Sequence, residues 1–376
     1  MKRIKVTKFL CLIIIPVIIL TGCWDQKIYE DIGFILQLGL ESSKDGMLLI
    51  SYTTPVADPK KYEQVEFIYG NAGTLREFRS KARNISSKFL EAGKIQQIVI
   101  SQELAEKGII NLLEVSERDS SNPTIAYIVI SESSPKDLFD FSQKLGDKPL
   151  PSFYLKQLID NNSRSGFCPQ TSVSEFTCFS FAEGIDSIVP LVKAENKETK
   201  GIRVMGCALF NYDKMVGKLN QKDTSLLLAM KGKVKSSEYN FTSLGPPEKD
   251  ISGKTGTAMF LYKPKQKIKV SIKDNIPIIN ISLKLDGIYE EHQWDHIDKK
   301  AVQVKYEKLM SQEIKSECLK LLQYTQEVGS DPIGIGDIIR AKYNTYWSNN
   351  NWKDFYSKAV FNIDVAVNII RYGTIK

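Results

Sequence analysis

The chain has 376 residues, 42% hydrophobic and 25% charged, which are values of a globular protein rather than a disordered one. That length exceeds one comfortable hydrophobic core and suits two or three domains. The formal net charge is +7, but four of the 51 basic residues crowd the first eight positions, leaving 47 against 44 acids, about +3. With no zinc-finger spacing and no aromatic-basic array beside it, this balance excludes nucleic acid as a partner.

Residues 1–22 read as a lipoprotein signal peptide. Lys2, Arg3, Lys5 and Lys8 form a basic start without an acid, and residues 9–20 are a nearly all-aliphatic run. The run is too short to cross about 30 Å of hydrocarbon as a stable helix. Leu20-Thr21-Gly22-Cys23 follows, in the pattern of a lipobox. The Cys23 thiol is expected to take a diacylglyceryl group and to become the first residue after cleavage. Two acyl chains, at about 0.8 kcal/mol per buried methylene, anchor durably where one is marginal. No second apolar run reaches about 18 residues, so this lipid is the membrane attachment expected, on the outer side of a cytoplasmic membrane. Trp24 and Asp25, beside the lipid, are candidate contacts for the membrane interface or an integral partner.

Residues 32–40 and 47–53 alternate loosely around Lys44-Asp45-Gly46, which predicts a hairpin, and 64–69 adds a third strand. The period then changes. Leu75, Phe78, Ala82, Ile85 and Phe89 share one face of a predicted helix. A strand over 95–101, a helix over 103–114 and a strand over 124–131 follow. Ser134-Pro135 then offers an N-cap and an N1 proline to a helix over 136–144. This order predicts a mixed sheet covered by helices in an N-terminal α/β region over 23–195, with room for two subdomains. The polar run over 194–200 (AENKETK) marks the expected boundary.

Beyond it the alternation is cleaner. Ile268, Val270 and Ile272 share one face, Ile279, Ile281, Leu283 and Leu285 share another, and Asp274-Asn275 lies between the runs. A long amphipathic helix is predicted over 298–328, and residues 359–372 alternate as a last strand, expected antiparallel like 257–290. Residues 201–376 thus read as an α+β domain with an antiparallel sheet and one long helix. The fold class expected for the whole chain is α+β and multi-domain, with mixed, largely antiparallel sheets packed with helices.

The chemistry-bearing residues make a thin case for catalysis. His292 and His296, four apart, could chelate zinc on a helix, but HQWDH lacks the glutamate a zincin uses as its base. A solvated turn at a strand end is the better reading, and no metal or cofactor is expected. Gly329, Gly334 and Gly336 match no phosphate-binding fingerprint and read as turn glycines after the long helix. There is no G-x-S-x-G elbow. Cys168 and Cys178 stand ten apart, which permits a disulfide without requiring it. Asp223-Thr224 reads as an N-cap with Gly232 as the stop. Trp347 and Trp352 read as amphipathic core plugs. No enzymatic activity is expected.

Five segments, in order, carry a resemblance. They are GCWDQKIYEDIGFI (22–35), GTLREFRSKARNISSKF (73–89) leading into IVISQELAEKGI (98–109), GCALFNYDKMVGKLNQKDTSLLL (206–228), DPIGIGDIIRAKY (331–343) and WKDFYSKAVFNIDVAVNIIRYG (352–373). Together they resemble the Ger(x)C family, the C-subunit lipoproteins of endospore nutrient-germinant receptors. The chain departs from the pattern at Tyr29 and at Gln96-Gln97, where members often have a histidine. The resemblance implies several mixed α/β domains and a non-enzymatic subunit on the outer face of the inner spore membrane. Its partners would be the integral membrane subunits of the receptor, and it would be required for the response to nutrients. The rival reading is an extracytoplasmic solute-binding lipoprotein of a transporter, which would favour two doubly wound halves.

Overall fold

The computed structural model describes residues 28–56, 65–118, 122–146, 148–196, 200–234, 236–241, 257–291 and 299–371. A short turn over Tyr29–Asp31 leads into β1 (Ile32–Phe34), then β2 (Gln37–Ser42), β3 (Leu48–Pro55) and β4 (Val65–Ala72) form an antiparallel meander. The turn at Lys44-Asp45-Gly46 joins β2 and β3 as the composition predicts. α1 (Leu75–Arg83) starts where Thr74 Oγ1 accepts from Glu77 N at 3.1 Å and Glu77 Oε2 accepts from Gly73 N at 2.8 Å. Leu75, Phe78 and Ala82 are buried, as their period requires.

The helix stops sooner than the apolar spacing suggests. Ser86 Oγ bonds Glu66 and accepts from Lys88 N, so the side chain competes for the backbone just past Asn84. Ile85 and Phe89, expected on the buried face, are instead exposed, Phe89 in β5 (Phe89–Glu91), which pairs parallel with β1. After β6 (Gln97–Ser101) the predicted single helix is two, α2 (Gln102–Lys107) and α3 (Ile110–Arg118). Gly108, at φ +111°, breaks it, and Ile109 N turns to the Asp213 carbonyl.

β7 (Tyr127–Ser131) precedes α4 (Pro135–Gln143), which Ser134 caps with Pro135 at the first helical position. α5 (Pro151–Arg164) and α6 (Val173–Ser180) fill a stretch for which the sequence pattern predicted nothing. Then come β8 (Ile188–Glu195), β9 (Gly201–Asn211), β10 (Lys214–Asn220) and α7 (Gln221–Met230). The cap of α7 is Asn220, whose Oδ1 accepts from Asp223 N at 2.9 Å. Asp223-Thr224 therefore lies inside the first turn rather than capping it; Asp223 Oδ2 accepts from Asn220 Nδ2 at 2.8 Å, closing a reciprocal cap. The chain ends with β11 (Ser236–Phe241), β12 (Thr257–Lys273), β13 (Ile276–Glu291), α8 (Lys300–Glu327), α9 (Ile335–Lys342), α10 (Asn344–Ser348), α11 (Trp352–Tyr356) and β14 (Val360–Arg371).

Beyond the small β1–β5 pair, two mixed sheets organise these elements. The larger has the order β10-β9-β8-β7-β6-β2-β3-β4, with parallel pairing from β8 to β2 and antiparallel pairing at both flanks. Both its faces are covered, so its central strands are apolar on each side. Ile98, Ile100, Ile128 and Ile130 pack on one face with residues of α1–α3 and α6, while Val99 and Val129 pack on the other against α4 and α5. The smaller sheet runs β11-β12-β13-β14 under the long helix α8. β12 and β13 form the expected hairpin, with Asp274 and Asn275 at φ +50° and +60° in its tight turn. β14 corrects the expectation for the last strand: it pairs parallel with β13, Ile278 opposite Val360, because four helices return the chain to the start of β13. The class is the mixed, multi-sheet arrangement that the sequence pattern predicts.

The polar run over 194–200 joins β8 to β9, which are antiparallel neighbours with Glu195 opposite Gly201. The large sheet therefore continues across the expected boundary, and β9 faces two cores. Ala208 and Phe210 pack with the N-terminal residues, while Cys207 and Leu209 pack with the C-terminal ones.

Candidate functional site

The densest buried polar cluster lies where the loop before β8 meets the turn between α8 and α9. Asp186, 1% exposed, accepts from Tyr212 N at 3.0 Å, from Asp331 N at 2.7 Å and from Lys353 Nζ at 2.6 Å. Asp186 N in turn donates to the Asp331 carbonyl at 2.9 Å. Lys353 also lies over the Tyr212 ring, 4.7 Å from its centroid. Asp331 is equally buried. Its Oδ1 accepts from Gly334 N and Ile335 N at 2.9 and 3.1 Å, and its Oδ2 from Gly336 N and Trp352 Nε1 at 2.8 and 3.1 Å.

The local sequence explains this geometry. A carboxylate set three or four residues before a helix accepts the free amides of the first turn of α9 and faces the positive end of its dipole. Gly334, at φ +81°, supplies the bend that turns those amides inward. Gly336 serves a different purpose from the turn role expected of it: its Cα side abuts Gly184, and a Cβ there would sit 2.5 Å from Trp352 Nε1. Burial pushes the Asp331 carboxyl up to about 6, against the downward pull of its amide donors.

A cavity of about 200 Å³ opens beside this joint, lined by Thr171, Glu175, Asp186, Ile188, Lys231 and Lys233 among others. Lys231 follows α7, is half-buried, and donates to the Pro332 carbonyl. Burial first, then the Lys233 ammonium, depresses it to about 8. Lys233 pairs with Glu175 at 3.0 Å. The cavity can hold a small polar molecule against a wall of mixed charge. Among the described residues no cluster of three His, Cys, Asp or Glu side chains could hold a metal ion.

Cys23, Trp24 and Asp25 lie outside the described residues, as do His292 and His296. Cys168 is buried and Cys178 exposed, and both are free thiols. Trp352 is a core plug that also donates to Asp331, whereas Trp347 is only partly buried beside it. Of the joint, Asp331 and Lys353 sit in segments the sequence marked as family-like. Asp186 and Lys231 carried no local signal, because their partners are distant in the chain: Lys353 is 167 residues from Asp186, and Pro332 is 101 from Lys231.

Two family models match. "Spore germination protein N-terminal domain" covers 25–194, and "Spore germination B3/GerAC like, C-terminal" covers 205–373. The chain is similar to the Bacillus cereus spore germination protein GerQC, 24% identical over 363 residues, spanning 96% of this chain and 98% of that one. It is also similar to spore germination protein B3 of Bacillus subtilis (strain 168), 23% identical over 371 residues and 95% of each chain. Its fold matches the crystal structure of the GerBC protein with a TM-score of 0.58 at 17% identity, over 89% of this chain and 96% of that one. With both halves matched in order, the chain belongs to the GerAC/GerBC-like C-subunit family of germinant receptors, whose members act in spore germination.

Proposed function

We propose that the chain is a lipid-anchored, non-enzymatic subunit of a nutrient-germinant receptor, held through Cys23 on the outer face of the inner spore membrane. It acts by binding the integral subunits and coupling them into a working receptor. The observation that carries this reading is how the buried ionisable groups are used. Asp331 directs both oxygens to four donors of its own segment and Asp186 directs its carboxylate to three, of which the Asp331 amide and the Lys353 ammonium tie the large-sheet side to the C-terminal one. Such a body is built to hold a shape between partners. Confinement to the membrane raises its effective concentration toward integral subunits without requiring tight intrinsic affinity.

The test is deletion in spores together with cross-linked pull-down from spore membranes. Loss of the chain should silence the response to specific nutrients and leave receptor-independent triggers intact, and the pull-down should recover integral receptor subunits. A turnover reaction by the purified protein, or a nutrient response unchanged by deletion, overturns the reading.

A further inference from the structure

Four strands of the large sheet, β2, β6, β7 and β8, run parallel, and the first residues of three of them, Gln37, Gln97 and Tyr127, lie side by side at one end. The β1–β5 pair caps that end through Ile35 N to the Glu91 carbonyl and Gln96 N to the Leu36 carbonyl. Large apolar side chains stand in solvent there. Ile28 is 64% exposed, Tyr29 73%, Ile85 73%, Phe89 44% and Ile125 78%. Separate contacts tie them to one region. The Tyr29 ring meets the Phe34 ring at a tilt, centroids 5.2 Å apart, Phe89 pairs with Ile32 in the ladder, and Arg79 Nη2 reaches Asn122 Oδ1 at 3.5 Å, drawing the segment before Ile125 against α1.

An apolar group of this kind on a folded surface marks an interaction site. The chain preceding it identifies the occupant. Cys23 is five residue steps from Ile28, so a lipid on Cys23 lies within about 18 Å of this end even with the link fully extended. Trp24, inside that link, is a residue type that favours the membrane interface. The charges around the rim, Arg83, Lys88 and Lys94 against Glu30 and Asp31, nearly cancel, so insertion of the apolar side chains rather than lipid charge supplies the attraction.

We infer that this end of the large sheet, presenting Ile28, Tyr29, Ile85, Phe89 and Ile125, seats on the lipid bilayer surface and sets the orientation of the whole chain on the membrane. The inference rests on the anchored reading of Cys23.

The experiment uses the acylated full chain in vesicles of phosphatidylcholine alone and with phosphatidylglycerol. In a Cys178→Ser background, an environment-sensitive fluorophore is attached at Ile85→Cys, at Ile125→Cys, and at Glu106→Cys as a control. Glu106 is exposed and lies beyond the opposite end of β6. Spin-labelled lipids should quench the first two about twofold or more in both vesicle types, and the control hardly at all, since interfacial insertion reaches only about 5–10 Å. Equal, weak quenching at all three sites in a chain that still pellets with vesicles overturns the orientation and leaves the anchor standing. A chain that does not pellet, or is not acylated at Cys23, overturns both.

Discussion

Replacing Lys353 with Met should destabilise the protein far more than a half-exposed lysine would. Its ammonium is 2.6 Å from Asp186, whose side chain is 1% exposed, so the carboxylate left behind would keep two amide donors and no counter-charge in a nearly dry site. Breaking such a pair from one side costs about 3–5 kcal/mol. Asp186→Asn removes the charge but keeps one acceptor oxygen, turning an NH2 group toward one of the two amides, for about 1–3 kcal/mol. In the double variant the stranded charge is gone, so the two losses should not add; a coupling of about 2–3 kcal/mol is expected. Urea titration read by tryptophan fluorescence suits the measurement, because Trp352 donates to Asp331 within the same joint. The single Lys353→Met change should lower the midpoint by about 1 M or more. If Lys353→Met shifts stability by less than about 1 kcal/mol, or if the two substitutions add, the joint is not the brace described above.

Gly184→Ala should be poorly tolerated, since the new Cβ would meet Asp337 N at 2.5 Å and Gly336 C at 2.7 Å, both backbone; a loss of about 2–4 kcal/mol by thermal melting is expected, against little change for Gly146→Ala, where nothing lies within 4 Å. Lys231 gives a pH signature. Its folded pKa of about 8 lies below the ordinary 10.5, so the unfolded chain binds more protons between those values and stability should rise with pH across that window and be lost as pH falls through 8. Lys231→Met should remove the rise, worth up to about 3 kcal/mol. The fragment 201–376, which keeps β9 but loses its neighbour β8, should melt broadly or aggregate; a sharp cooperative transition would show that the sheet can be cut at that hairpin. Cys23→Ala should leave the precursor unacylated and out of the membrane fraction, as labelled-lipid incorporation and fractionation would report.

What could be read along the chain was what is decided within it. The β2–β3 and β12–β13 hairpins, the Ser134-Pro135 start of α4 and the burial stripe of α8 all follow from residues within a few positions of one another. Ile85 and Phe89 misled because apolar spacing alone does not say where a helix stops, and Ser86 decides that through a bond to Glu66 on a different element. The direction of β14 depends on where four helices deliver the chain, which no local pattern encodes. The joint was half visible. Asp331 and its glycines stood out as a motif, but Asp186 is an ordinary loop aspartate until Lys353 and Tyr212 close around it.

The span between Asp186 and Lys353 also sets a clock. At a synthesis rate of about 5–20 residues per second, the 167 residues between them take about 8–30 s to appear. Asp186 lacks the amide of Asp331 until 145 residues have followed it and its ammonium until 167 have, and meanwhile it must stay hydrated. The first half of the molecule is thus finished by the last forty or so residues, and a shortened C-terminus should betray itself first as an N-terminal half that fails to mature.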